Sequence, residues 1–258
     1  MTQVAKGMIF AAGLGTRLRP FTLEHPKALV DVGGRPALAH VIDRFVSAGI
    51  RDITVNVHHF AAQVIEYLHG HTPDGVDIHV SDESSRLLDT GGGLLHAREY
   101  LDGDVPILVH NADIISDIDL ETMLVCHRHS NAAVTMAVQT RASSRHLCFD
   151  KTGRLQGWTH TDGEGHILES RPQGYVPAES DVPMSFEGIH IIQPSVLRDL
   201  AEYDRQSGTD GVFSITPAYV SLCRSRDIRG YIVPASAHWY DVGRPETLEA
   251  ARHYVASM

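Results

Sequence analysis

The stretch AAGLGTRLRPFTLEHPKALVDVGGRP, residues 11–36, joins an apolar segment to a loop that is rich in glycine and in basic residues. The apolar residues at its start predict the end of a buried strand. Gly13 and Gly15 follow, and glycines let backbone N–H groups approach a phosphate group without interference from a Cβ atom. Arg17 and Lys27 add positive charge. The stretch therefore predicts a strand that leads into a phosphate-binding loop.

Two common phosphate-binding motifs do not match this loop. The dinucleotide fingerprint needs a third glycine at the position of Leu18, and the P-loop needs a Gly-Lys pair followed by Ser or Thr, which the sequence lacks. A lone Gly-x-Gly is also found in tight turns. The interpretation as a phosphate loop therefore depends on the longer string G-x-G-T-R-L-x-P at 13–20 and on the Pro26-Lys27 pair that follows it.

Helix and strand patterns alternate along the rest of the chain. Residues 36–48 carry apolar side chains at helical spacing, between Pro36 and Gly49. Comparable patterns predict strands at 4–12, 52–57, 76–80, 105–110 and 228–233, and helices at 60–69, 92–100, 194–202, 214–224 and 245–256. The βαβαβ order predicts an α/β fold with a mostly parallel sheet and helices on both faces.

Short strand patterns separated by turns replace this alternation in the middle of the chain. They lie at 132–139, 146–150, 155–160 and 184–192. We expect them to form a small antiparallel extension of the main sheet over residues 132–192. A length of 258 residues suits one large α/β domain better than two full-sized domains, and the chain contains no repeat or low-complexity linker. We therefore expect a single domain over residues 1–258.

Composition excludes several classes of partner. The chain has 22 Lys and Arg against 32 Asp and Glu, a formal net charge of −10, which disfavours non-specific binding to nucleic acid or to an anionic membrane. No apolar run is long enough to span a bilayer. The three cysteines are far apart and form no Cys-x-x-Cys pair, and the 17 histidines form no zinc motif. We expect a cytoplasmic protein without a structural metal site.

The chain resembles the sugar-1-phosphate nucleotidyltransferase family. The resemblance is carried by five strings, in the expected order: GLGTRLRP at 13–20, HPKALVDVGGRP at 25–36, LLDTGGGL at 87–94, NAD at 111–113 and HWYDVGRPE at 238–246. It implies a Rossmann-like fold of the GT-A type, with a mostly parallel mixed sheet. It also implies a reaction in which an NTP and a sugar 1-phosphate give an NDP-sugar and pyrophosphate, with Mg²⁺ as cofactor.

The same resemblance implies roles for individual residues. It implies four catalytic residues: Arg17 on the β- and γ-phosphates, Lys27 on the α-phosphate and the sugar phosphate, and Asp113 and Asp241 as ligands of Mg²⁺. The nucleotide-binding residues that it implies are Ala11, Ala12, Gly13, Gly15, Thr16, Arg17, Gly91, Gly92 and Asn111. Asn111 is also expected beside the sugar, together with Glu187.

The identity of the substrates stays open at this point. Within the family, the chain is similar to small enzymes that use UTP with N-acetylmuramate 1-phosphate in cell-wall recycling, and next to those that use GTP with mannose or heptose 1-phosphate. Relatives commonly have a small or hydroxyl residue where this chain has Glu187, which leaves the sugar in doubt. A non-catalytic protein that binds a sugar nucleotide is the alternative from another class.

Overall fold

The computed structural model describes residues 5–172 and 181–257 and shows one long mixed sheet with helices on both faces. The strands are β1 (Lys6–Phe10), β2 (Asp31–Val32), β3 (Arg35–Pro36), β4 (Asp52–Val57), β5 (Asp77–Asp82), β6 (Ile107–Asn111), β7 (Ile114–Ser116), β8 (Val134–Gln139), β9 (Arg145–Phe149), β10 (Leu155–Thr161), β11 (Ile167–Ser170), β12 (Val182–Ile192), β13 (Ile228–Ile232) and β14 (Trp239–Asp241). The helices are α1 (Ala37–Ser47), α2 (Ala61–His71), α3 (Asp89–His96), α4 (Arg98–Leu101), α5 (Leu120–Ser130), α6 (Ser195–Ser207), α7 (Ile215–Leu222) and α8 (Pro245–Ala256).

The half of the sheet nearest the glycine-rich loop is parallel. Its strands run in the order β6-β1-β4-β5, and each neighbouring pair is parallel. The central strands β1, β4 and β6 are almost entirely buried, as expected of strands covered by helices on both sides. Because all four strands point the same way, their carboxyl ends meet at one edge of the sheet, and the glycine-rich loop leaves from that edge.

The other half of the sheet is mainly antiparallel. Strand β12 pairs antiparallel with β6, β8 and β9, and β9, β10 and β11 continue as antiparallel neighbours. The predicted strands at 132–139, 146–150, 155–160 and 184–192 therefore correspond to observed strands. They belong to the same hydrogen-bonded sheet as β1, with β12 as the connecting strand.

Three apolar clusters hold these layers together. Helices α1, α2 and α5 cover one face of the sheet through buried side chains such as Phe45, Val64 and Met123. Helices α3, α6 and α7 cover the other face, with Leu94 and Leu200 among the buried residues. A third cluster lies under the glycine-rich loop, and its buried members are Leu18, Val30, Val32, Ala37, Ile115, Val242, Leu248 and Ala251. This third cluster connects the loop to β7, to the end of β14 and to α8.

Some elements differ from the sequence-based expectation. Helix α5 was not predicted, although Asp119 caps its N-terminus by accepting a hydrogen bond from Thr122 N and Asn131 ends it in a left-handed conformation. Helix α3 begins at Asp89 instead of Gly92, because contacts with the segment after α6 stabilise a glycine-rich first turn that has poor helix propensity. Among the helices of the described residues, none is long and apolar enough to cross a membrane.

Candidate active site

A cleft of about 390 Å³ opens at the carboxyl edge of the parallel strands. Its lining comes from the ends of β1, β4, β5 and β6, from the start of the glycine-rich loop, from the segment around the start of α3 and from the segment between α6 and α7: Phe10, Ala12, Gly13, Asn56, Glu83, Leu87, Asp89, Thr90, Asn111, Asp113 and Val212. The predicted nucleotide-binding residues Ala12, Gly13 and Asn111 are among them, as is the predicted catalytic residue Asp113. In open α/β sheets, ligands bind at this carboxyl edge of the strands, and the cleft lies there.

Contacts at Gly15 and Leu18 hold the glycine-rich loop in place, whereas the space around Gly13 is open. Gly15 adopts a left-handed backbone (φ +62°), and a Cβ there would lie 2.8 Å from the side chain of Thr22. The Thr22 hydroxyl donates to the Gly15 carbonyl at 2.8 Å, and Leu18 is buried in the third cluster. Gly13 has no atom within 4 Å of an added Cβ. Gly15 therefore shapes the loop, while Gly13 borders the cleft.

A cluster of four charged side chains lies beside the cleft, and it contains the four residues predicted to be catalytic. Lys27 Nζ forms an ion pair with Asp113 Oδ2 and lies 3.5 Å from Asp241 Oδ1. Arg17 lies 3.3 Å from the other oxygen of Asp241. Lys27 is almost buried, whereas Arg17 and Thr16 are exposed at the tip of the loop. The structure thus brings together two cations and two carboxylates that are distant in the sequence.

The short ladder between β7 and β14 creates this arrangement. Asp241 pairs with Ile114, one residue beyond Asp113, and Val242 N donates to the Asp113 carbonyl at 2.9 Å. Gly243 N donates to Asp241 Oδ1 at 2.8 Å. A Cβ at Gly243 would collide with Lys27 Nζ, so the ammonium group occupies space that a side chain at this position would need.

The charge environment keeps Asp241 ionised. Burial by itself raises the pKa of this carboxyl group, but Lys27, the Gly243 N–H and Arg17 outweigh burial and lower the pKa below its ordinary value. Two carboxylates so close would otherwise repel each other, and the shared ammonium group removes most of that repulsion.

The carboxylates have the chemistry of a magnesium site. Both are hard oxygen donors, and both contact the position now held by Lys27 Nζ. The residues of 5–172 and 181–257 contain no group of three or more side chains suited to hold a metal. Mg²⁺ fits such a sparse set, because it commonly binds one or two carboxylates and fills its other positions with water and substrate phosphates.

A buried polar chain forms the back of the cleft, and sequence reasoning missed it. Ala11 N donates to Asn56 Oδ1 at 2.8 Å, Asn56 Nδ2 donates to Glu83 Oε1 at 2.7 Å, and Leu88 N donates to Glu83 Oε2 at 3.2 Å. Burial raises the pKa of Glu83, and these hydrogen bonds partly offset the rise. The available signal was Asn56, a polar residue inside the apolar strand pattern DITVNV.

The predicted nucleotide-binding glycines of α3 contact protein backbone. Gly91 N and Gly92 N both donate to the Phe213 carbonyl, at 2.9 and 3.3 Å. An added Cβ would collide with the Phe213 ring at Gly91 and with the Gly211 carbonyl oxygen at Gly92. Neither glycine lines the cleft, which is bordered instead by the adjacent Asp89 and Thr90. The close approach that these glycines permit is thus made by the 211–213 segment.

The structure places Glu187 differently from the expectation that it contacts a sugar. Its carboxylate is fully buried, and both oxygens accept hydrogen bonds from Arg141 Nε, at 3.0 and 3.2 Å. Burial raises the pKa of Glu187, and the Arg141 guanidinium works against that rise. The structure therefore does not support a direct contact between Glu187 and a sugar hydroxyl, and the partly exposed group at this position is Arg141.

Comparisons with known proteins point to one family. Residues 6–156 match the family model "Nucleotidyl transferase". The N-acetylmuramate alpha-1-phosphate uridylyltransferase of Caulobacter vibrioides is 33% identical over 262 residues, which cover 99% of each chain. The mannose-1-phosphate guanyltransferase of Yarrowia lipolytica is 33% identical over 93% of this chain, which spans only 61% of that protein. A UDP-glucose pyrophosphorylase structure from Acinetobacter baumannii shares the fold: the TM-score is 0.74, the sequence identity is 21%, and the match covers 97% of this chain and 93% of that chain.

Replacing Lys27 by Met tests the charge cluster. The ionised Asp241 contributes to stability above its unfolded pKa of about 3.9, because folding lowers the pKa, and this contribution is lost as the pH falls through the folded value. We expect Lys27→Met to raise the pKa of Asp241 and to shrink that contribution. Carboxyl ¹³C NMR titration measures the shift, with Asp241→Asn for assignment. Lys151→Met, at an exposed turn, is the control; an equal Asp241 pKa in both variants would contradict the coupling.

Proposed function

Because the chain belongs to the nucleotidyl transferase family and is a sugar-1-phosphate nucleotidyltransferase, we propose that it forms UDP-N-acetylmuramate and pyrophosphate from UTP and N-acetylmuramate 1-phosphate. The observation that carries the reaction type is the cluster of Lys27, Arg17, Asp113 and Asp241 beside the cleft. The choice of substrates is supported by the 33% identity to the Caulobacter vibrioides uridylyltransferase over 99% of both chains. The proposed reaction belongs to cell-wall recycling in the cytoplasm.

The proposed chemistry needs charge neutralisation more than proton transfer. A phosphate oxygen of the sugar 1-phosphate attacks the α-phosphorus of UTP, a new P–O bond forms, and the bond to pyrophosphate breaks. The nucleophile is already an anion and pyrophosphate leaves as one, so neither a strong base nor a strong acid is required. The barrier falls when two anionic groups are held close and in line.

The charged cluster supplies the groups for this task. Lys27 is proposed to contact the α-phosphate and the sugar phosphate, and Arg17, exposed on the loop, to contact the β- and γ-phosphates. Asp113 and Asp241 are proposed to hold Mg²⁺, which when bound would supply positive charge that stabilises the reacting phosphates. In the structure, Lys27 and Arg17 form ion pairs with those carboxylates. We propose that substrate binding replaces these ion pairs: the two cations then contact phosphates, and the carboxylates contact Mg²⁺.

The cleft is proposed to hold the nucleoside. Its walls combine apolar side chains, such as Phe10, Leu87 and Val212, with the backbone around Ala12 and Gly13. The carboxyl edge of β1 places these backbone groups next to Asp113, so a base in the cleft would leave its phosphates at the charged cluster.

Guanylyl transfer to mannose 1-phosphate is the second candidate, favoured by the 33% identity to the Yarrowia lipolytica enzyme over 93% of this chain. A non-catalytic sensor is a weaker alternative, because nucleotide binding alone gives no reason to keep both carboxylates and both cations in one cluster.

The experiment that tests the proposed function offers UTP and GTP in turn with the 1-phosphates of N-acetylmuramate, N-acetylglucosamine, mannose, glucose and heptose, and measures pyrophosphate release. We expect turnover with UTP and N-acetylmuramate 1-phosphate. Turnover with GTP alone would replace this proposal by the second candidate, and nucleotide-sugar binding without any turnover would favour the sensor.

The carboxylates are tested by Asp113→Asn and Asp241→Asn. Each change should lower kcat by about 100-fold or more, because positive charge held by the carboxylates contributes several kcal/mol in such transition states. Both variants should fold. Steady-state kinetics over a range of Mg²⁺ concentrations, together with circular dichroism, provide the measurements. Asp150→Asn, in the turn after β9, is the control. Near-normal kcat in either site variant would show that its carboxylate is not a ligand.

The glycine-rich loop is tested by Gly13→Ala. Space for the new Cβ is free in the protein, so the free energy of unfolding should change by less than about 1 kcal/mol. Because Gly13 lines the cleft proposed to bind UTP, a Cβ there should compete with the phosphates for space, and KM for UTP should rise about tenfold or more through loss of one or two hydrogen bonds from backbone N–H groups to a charged group. Gly70→Ala, at another open position in α2, is the matched control and should leave KM unchanged. Equal KM values in the two variants would exclude Gly13 from the phosphate site.

A further inference from the structure

Arg141, Glu187 and Trp239 form a cluster on the antiparallel side of the charged site. Arg141 Nε donates to both oxygens of the buried Glu187 carboxylate. The guanidinium carbon lies 4.1 Å from the centre of the Trp239 ring, which is cation–π distance. The Arg141 carbonyl accepts a hydrogen bond from the Ser185 hydroxyl at 3.2 Å. The guanidinium group is therefore fixed at one edge and on one face.

A bulge in β12 aims Glu187 at Arg141. Phe186 pairs with Val138, whereas His190 pairs with Met136, so β12 contains two extra residues at this point. Gly188 lies within the bulge in a left-handed conformation (φ +73°), which favours glycine. Bulges of this kind redirect side chains next to active sites. The bulge turns the Glu187 carboxylate under the Arg141 guanidinium.

The cluster is connected to the proposed reaction site by two contacts. A Cβ at Gly188 would lie 2.8 Å from Asn111 Nδ2, so the bulge touches a residue that lines the cleft. Trp239 Nε1 donates to the Glu187 carbonyl at 2.9 Å. Trp239 and Asp241 are two residues apart on β14 and thus share one face of that strand. Arg141 therefore stacks on a residue of the strand that carries Asp241, and its partner Glu187 is adjacent to the glycine that approaches Asn111.

The terminal nitrogens of the Arg141 guanidinium group carry hydrogen-bond donors that Glu187 does not use. A guanidinium group has five N–H donors, and Glu187 occupies the one on Nε. The side chain is 31% exposed, and among the residues that the structure describes no acceptor contacts its two terminal nitrogens. A planar guanidinium that is already oriented is suited to bind a carboxylate through two parallel hydrogen bonds.

We propose that Arg141 binds an anionic substituent of the sugar and so selects acidic sugar 1-phosphates over neutral ones. The inference rests on the proposed function, in which the sugar is N-acetylmuramate: this sugar differs from N-acetylglucosamine by a lactyl ether that ends in a carboxylate. Arg17 and Lys27 are engaged with phosphates in that proposal. Arg141 is a separate cation, on the sugar side, for the lactyl carboxylate.

A purely structural role for Arg141 makes a different prediction. An arginine that only neutralises Glu187 would affect folding, and it would affect neutral and acidic sugars equally. Arg141→Gln alone would leave a buried carboxylate uncompensated and could prevent folding. The double variant Arg141→Gln/Glu187→Gln removes both charges and keeps two amide groups that can bond to each other. Arg198→Gln, at an exposed position of α6, removes a guanidinium outside the cluster and is the matched control.

The experiment measures Kd by isothermal titration calorimetry, in the presence of Mg²⁺, for UDP-N-acetylmuramate and UDP-N-acetylglucosamine. These two ligands differ only in the lactyl ether. In the double variant, Kd for UDP-N-acetylmuramate should rise about tenfold or more, as expected for loss of a hydrogen-bonded charge pair. Kd for UDP-N-acetylglucosamine should change less than about twofold, and Arg198→Gln should keep the wild-type ratio of the two values.

Three results would overturn the role of Arg141: an unchanged ratio in the double variant, an equal loss for both ligands, or the same loss of ratio in Arg198→Gln. Pyrophosphate release by the wild-type enzyme distinguishes failure of this inference from failure of the proposed function. Turnover of N-acetylmuramate 1-phosphate with an unchanged Kd ratio in the double variant would refute Arg141 alone. Absence of that turnover, with activity on another pair of substrates, would refute the proposed function.

Discussion

The ammonium group of Lys27 lies between two carboxylates from distant parts of the chain, and several local features of the structure position these three groups. The β7–β14 ladder sets Asp241 beside Asp113, and Gly243 leaves room for the ammonium group. Without a cation between them, the two carboxylates would repel each other and the end of β14 would be less stable in this position. The electrostatic contact is therefore part of the fold as well as of the site.

The loop that carries Lys27 and Arg17 depends on a small apolar cluster of its own. Leu18 and Val30 pack with Val242 and Leu248, so the loop, the end of β14 and α8 share one set of buried side chains. Each fully buried apolar side chain of this size contributes about 1.5–3 kcal/mol. The cluster holds the charged residues on a rigid base, while Gly13 and Arg17 remain accessible above it.

The sequence predicted what depends on local patterns and on a recognisable motif. The apolar spacing in α1 and the β-branched residues of β4 indicated those elements, and the family comparison agrees with the resemblance read from the glycine-rich strings. The strands β7 and β14 were not predicted, since each has three residues and is defined only by its partner. The same limit applies to Asn56 with Glu83 and to Arg141 with Glu187, because each pairing joins residues that are brought together only by the folded sheet. For the glycines of α3, the motif correctly pointed to a segment in which the backbone is closely approached. It did not show that the approaching group is the backbone of the 211–213 segment.

The Arg141–Glu187 pair is difficult to explain by stability alone. Removing a carboxylate completely from water is costly, and a buried ion pair is often no more stable than an apolar pair of similar size. Here only the carboxylate is buried, while the guanidinium remains partly exposed and stacked on Trp239. An arginine needed only to neutralise a buried acid would be made unnecessary by a small neutral residue at 187. The arrangement makes more physical sense if the acid serves the arginine: Glu187 fixes one edge of the guanidinium, the bulge at Gly188 positions Glu187, and the other edge of the guanidinium stays partly exposed.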